Sequence, residues 1–130
     1  MKKKEEKPVS PAKNNAEVQN RALSLRQPYA EQVLRGEKKI EYRSILTRIR
    51  GRVYIYASLT PAIEAFEEMG LEPGSLPTGV LVGTVEVVDC IKPWSDHDYH
   101  WQLEHPMRLE KLIKPENHPQ PVWFKPFKEG

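Results

Sequence analysis

Runs of alternating apolar and polar residues recur along this chain, and each is cut short by glycine or proline within a dozen positions. That pattern admits many short strands and few helices, because alternation marks a half-buried strand and the punctuating residues end it. Arg21 to Arg26 alternates, with Leu23 and Leu25 on one face. Lys39 to Arg43 places Ile40 and Tyr42 opposite Glu41 and Arg43, and Arg52 to Ser58 places Val53, Ile55 and Ala57 opposite Tyr54 and Tyr56. Gly79 to Cys90 is the longest such run and is expected to be a central strand, with Gly83 marking a bulge or a close backbone approach.

Two segments carry helical spacing instead. Pro28 is expected to open a helix of at most two turns, with Ala30, Val33 and Leu34 inward and Gly36 at its left-handed end. Thr60-Pro61 reads as a cap and first-turn proline for a second helix bearing Ile63, Phe66 and Met69 inward and Glu64, Glu67 and Glu68 outward. Tyr99, Trp101 and Leu103 return to period two, and a further hairpin is expected before Ile113. Prolines crowd the end of the chain, where Val122-Trp-Phe124 supports one short final strand. The expected fold class is mixed α+β: a small, partly closed β-barrel of about five to seven strands with two or three short helices.

The first twenty residues contain almost no large apolar side chain and are expected to form a disordered Lys-rich tail, leaving residues 21–130 as one domain. No apolar run approaches the roughly 20 residues that span a bilayer, and the basic start lacks the apolar stretch of a signal peptide, so a cytoplasmic protein with no membrane partner is expected. Cys90 stands alone, which excludes an internal disulfide and suggests a buried, inert thiol.

Charge is divided along the chain more sharply than the formal net charge of +2 suggests. Arg21 to Arg52 holds nine basic and three acidic residues, whereas Val53 to Gly130 holds six basic and twelve acidic ones. Such a division gives a local positive surface for an anionic ligand without a high pI. The stretch Gly36-Glu-Lys-Lys-Ile-Glu-Tyr-Arg43, a G-x-K-x-x-E-x-R pattern, concentrates it. Strand parity separates Lys38 from Glu41 and Arg43, so the three converge only if Lys38 lies in the turn before the strand. If they do, Lys38 and Arg43 can hold a phosphate or carbonyl oxygen while Glu41 orients Arg43. A solvated strand edge protected by charge is the alternative reading.

Ser24-Leu-Arg-Gln-Pro-Tyr29 followed by that pattern resembles the start of ASCH domains, and Tyr99-His-Trp-Gln-Leu-Glu-His-Pro106 is similar to the family's W-x-L-x-x-P strand. The resemblance implies a PUA-like β-barrel whose cleft binds RNA or a nucleotide through Ser24, Arg26, Gln27, Tyr29, Lys38, Glu41, Arg43 and Ser58. Tyr29 is a candidate stacking face, while Trp101 reads better as core. The resemblance also implies an alternative, a small amidohydrolase acting on acylated cytidine or a ribonuclease, with Lys38 as catalytic base or nucleophile and Tyr29 or Glu41 assisting. This chain departs from that pattern in having Glu41 where those hydrolases carry threonine, and Asp96, Asp98 and Glu104 are the candidates for the missing acid. A protein-interaction adaptor using the acidic C-terminal two thirds is a third reading.

No cofactor is implied: the chain has no P-loop, dinucleotide fingerprint or nucleophile elbow. Asp96-His-Asp-Tyr-His100 has no second His or Cys pair to complete a metal tetrahedron and reads as a polar loop.

Overall fold

The computed structural model describes residues 18–129. The expectation of a disordered tail falls largely on residues 1–17, which lie outside the described residues. Gln19 and Asn20, ahead of the expected boundary, are tied to other described residues. Gln19 bonds the backbone of Arg50 and Arg52, and the Asn20 side chain bonds both the carbonyl and the amide of Phe127.

In chain order the elements are β1 (Ala22–Leu25), α1 (Tyr29–Leu34), β2 (Ile40–Arg43), β3 (Gly51–Ala57), α2 (Ile63–Glu68), β4 (Val80–Ile91), β5 (Tyr99–Ile113) and β6 (Trp123–Phe124). The six strands form one sheet in the order β2-β5-β4-β3-β1-β6, curled into a half-barrel. β1 runs parallel to β3, with Leu23 beside Ile55 and Leu25 beside Ala57, and the other pairings are antiparallel. The two faces of β3 are both covered, as its composition anticipates. Val53, Ile55 and Ala57 join Leu23, Leu25, Val85, Val87, Trp101 and Leu103 in the main core, while Tyr56 packs with Ala22, Leu81 and Phe124 on the other side.

α1 begins at Tyr29 with Pro28 at its cap position, buries Ala30, Glu31 and Val33, and gives way to Gly36 at φ 77°. It lies against Gly83, where a Cβ would meet the Leu34 side chain and would stand 2.5 Å from the Met107 carbonyl oxygen. Gly83 therefore marks both features expected of it, since the pairing with β5 also shifts register there.

Two local expectations are corrected. α2 starts at Ile63 after Ala62, with no side-chain cap, rather than at Thr60-Pro61. The carbonyls of Thr60 and Pro61 instead accept hydrogen bonds from the Arg26 guanidinium, and the Ala62 amide donates to Gln27, which holds this stretch extended. The later start leaves Ile63 exposed and burial to Ala65 and Phe66. Nor is there a hairpin between Tyr99 and Ile113: β5 is one 15-residue strand paired with β4 from Ile91–His100 to Leu81–Ile113. His105, at φ 55°, and Pro106 bend the strand without reversing it, because β4 is long enough to pair with both halves. Cys90 is half-buried rather than enclosed, and its sulfur accepts a hydrogen bond from the Thr47 amide.

Candidate functional site

The end strands β2 and β6 do not pair with each other, and a side chain from β2 reaches instead to β1, the neighbour of β6. Arg43 donates from Nη2 to the Ser24 carbonyl of β1 at 3.3 Å and from Nε to Glu41 Oε2 at 2.6 Å. Its guanidinium lies 5.7 Å from the Trp101 ring, close enough for a cation–π contact. Trp101 is fully buried, donates from its indole N–H to the Ile45 carbonyl and stacks on Trp123 at 5.7 Å, so it is core, as its spacing suggests.

A cavity of about 580 Å³ opens along this seam. Ser24 and Arg26 from β1 and its end, Tyr29 from α1, Glu41 and Arg43 from β2 and Ser58 after β3 all line it. Strand alternation puts Glu41 and Arg43 on the cavity side and turns Ile40 and Tyr42 away. Arg26 is present at the wall, but its Nε and Nη2 are committed to Thr60 and Pro61. Gln27 does not line the cavity. Its amide is buried, donating to the Pro77 carbonyl and accepting from the Glu31 amide, so it anchors the start of α1.

Lys38 does lie in the turn before β2, as convergence of the pattern requires, and its ammonium stands 3.4 Å from Glu41 Oε1. Glu41 is thereby bridged to both cations, one on each oxygen. Lys38 also donates to the Ile40 carbonyl at 2.7 Å, and it lines a neighbouring pocket rather than the seam cavity.

Composition and spacing gave no sign of the remaining walls. Tyr56 contributes from β3, and a segment before β6 contributes His118 and Gln120 with the prolines between and after them. Ser24 ties that segment down through its hydroxyl to the Gln120 carbonyl and its amide to the Val122 carbonyl. Burial raises the Tyr56 phenol above its ordinary value, so it stays neutral at physiological pH. Among the described residues, Arg43 Nη1, the hydroxyls of Tyr29 and Ser58 and the side chains of His118 and Gln120 bond no protein group. The cavity is thus largely apolar in its walls, with unspent donors and acceptors at its edge.

Residues 23–126 match the family described as ASCH domain. The chain belongs to the ASCH family. Over 81 residues this ASCH domain is also 33% identical to Activating signal cointegrator 1 of Homo sapiens, and to the same extent to Activating signal cointegrator 1 of Mus musculus. Each match covers 53% of this chain and 14% of the relative, so the likeness concerns one small part of a much longer protein. Of the Gly36–Arg43 pattern, Glu41 and Arg43 line the seam cavity of this ASCH domain, and Lys38 lines the pocket beside it.

The Asp96 loop at the β4–β5 turn is built for its own geometry. Asp96 accepts from the Asp98 amide at 3.1 Å and pairs with His100 at 2.8 Å, and these bonds lower its pKa from the ordinary aspartate value. No helix among the described residues is long and apolar enough to cross a membrane.

Proposed function

We propose that this ASCH domain binds RNA, taking one base of a single-stranded segment, plain or modified, into the seam cavity. ASCH domains are generally RNA-binding, which supports the class of ligand. The observation that carries the finer reading is the cavity itself: apolar walls suited to the faces of a base, and an edge of unspent hydrogen-bonding groups that includes one cation. Arg43 Nη1 is placed for a base carbonyl or phosphate oxygen, and Tyr29, 36% exposed, offers a stacking face. Glu41 holds Arg43 in position and is itself held by Lys38.

Binding is favoured over hydrolysis by the state of Lys38, whose ammonium is engaged by a carbonyl and a carboxylate next to the cavity rather than in it. The test is fluorescence anisotropy with a labelled ten-nucleotide single-stranded RNA of randomised sequence. Arg43→Ala should weaken binding and reduce the logarithmic salt slope by about 0.7, the contribution of one phosphate contact on a single strand. Unchanged affinity in a folded Arg43→Ala protein would remove the reading. Incubation of the same protein with acetylcytidine decides the alternative: product formed by the wild type and lost in Lys38→Met establishes a hydrolase instead.

A further inference from the structure

Beside the seam cavity, and sharing Tyr29 with it, lies a shallower pocket of about 410 Å³ walled by Gln32, Glu37, Lys38, Lys39, Ile40 and Tyr42. It is formed by the outer side of α1, the turn that follows and the face of β2 turned away from the cavity. Two aromatic rings meet one cation there: the Lys38 ammonium is 5.9 Å from the Tyr29 ring centroid and 5.5 Å from that of Tyr42. Tyr42 is 52% exposed, yet its ring is not loose. The His100 imidazole meets it edge-on at 4.7 Å, and His100 is fixed in turn by Asp96 at 2.8 Å. An exposed aromatic face held in place this way loses little entropy when a flat ligand stacks on it.

The charge beside that face is positive. The Lys39 side chain is exposed and its ammonium bonds no protein group among the described residues, and Lys38 keeps one ammonium hydrogen beyond those directed at Ile40 and Glu41. The counter-charge in the wall is Glu37, whose nearest cation is Arg35 at 4.0 Å. Lys38 and Arg43 share the single carboxylate of Glu41 and Glu37 is offset by Arg35, so Lys39 leaves a positive surplus suited to a phosphodiester.

We propose that this pocket is a second nucleotide subsite: the strand whose base enters the seam cavity passes its next phosphate over Lys38 and Lys39 and stacks the neighbouring base on Tyr42. The inference rests on the binding reading above and extends it from one nucleotide to two, with Tyr29 as the partition between them. It makes the domain a reader of a short strand rather than of a free nucleoside.

The experiment compares two probes on wild type, Tyr42→Ala, Tyr42→Trp and Lys39→Ala: the ten-nucleotide single-stranded RNA of randomised sequence, and the four ribonucleosides followed by NMR shift titration. Tyr42→Ala should lose about tenfold in RNA affinity, the scale of one stacked base, while Tyr42→Trp retains it. Lys39→Ala should lower the salt slope by about 0.7. None of the three should change nucleoside affinity. RNA affinity unaltered by Tyr42→Ala overturns the subsite while leaving the seam cavity's role intact, as does a loss confined to Lys39→Ala, which reduces the pocket to a charged surface. Failure of wild type to bind either probe overturns the parent reading and the subsite with it.

Discussion

Replacing Arg108 by methionine should cost this domain about 2 kcal/mol at neutral pH and almost nothing in acid. Arg108, on β5, donates from Nη1 and Nη2 to the two oxygens of Glu31 on α1 at 2.9 and 3.1 Å, and Arg35 adds a third bond from Nε at 2.8 Å. The Glu31 side chain is only 9% exposed, whereas that of Arg108 is 56% exposed. A hydrogen bond to a charged group contributes about 1.5–3 kcal/mol, and two such bonds discounted for the solvent around Arg108 leave about 2 kcal/mol. Methionine keeps most of the apolar stem, so the loss reports the guanidinium. The bonds from Arg108, ahead of those from Arg35, lower the Glu31 pKa from its ordinary value against an opposing contribution from burial. A depressed carboxylate pKa contributes stability that is complete above the unfolded value of about 4.3 and is lost as pH falls through the folded one. Urea denaturation of wild type and Arg108→Met at a series of pH values isolates this pair, since the other carboxylates are common to both proteins. The difference in stability should be constant from pH 7 to about pH 5 and then shrink towards zero. A difference of the same size at pH 3 as at pH 7 would refute the electrostatic account and leave only altered packing of α1.

Gly83→Ala should destabilise the fold by about 1–3 kcal/mol, because the added methyl would stand 2.5 Å from the Met107 carbonyl and against Leu34; an unchanged urea midpoint would show that β4 and β5 slide apart freely. The two stacked tryptophans should separate in the same assay. Trp101→Phe gives up a buried bond to the Ile45 carbonyl and should cost about 2–3 kcal/mol, whereas Trp123→Phe removes a buried indole N–H that bonds nothing and should cost at least about 1 kcal/mol less. Equal losses would mean that ring volume alone sets both.

The strands were legible because their periodicity is a local property of the chain. Leu23, Leu25, Val53, Ile55 and Ala57 alternate, and all five are buried where alternation puts them. The start of α2 was not, since Thr60 and Pro61 are drawn out of the helix by Arg26, 34 and 35 positions earlier. The run from Tyr99 to Ile113 misled for a related reason: His105-Pro106 is a turn signal locally, but a long partner strand turns it into a bend.

The same distinction divides the site. Lys38, Glu41 and Arg43 sit within six residues of one another, so their convergence through a turn can be reasoned from parity and Gly36 alone. His118 and Gln120 come to the cavity only because β6 pairs with β1, laying the segment before it along Ser24. Val122-Trp-Phe124 signalled the strand but not its neighbour, and strand order is what a single sequence withholds. That order also explains why the cavity lies where it does. A sheet that closes fully pairs all its edges, whereas this one ends in a four-residue and a two-residue strand that do not pair with each other. Arg43 reaches from β2 to β1 with a side chain, and the cavity lies beside that bridge. The residues that complete the barrel and the residues that line its cavity are therefore partly the same, and substitutions at Arg43 should be read for stability and binding together.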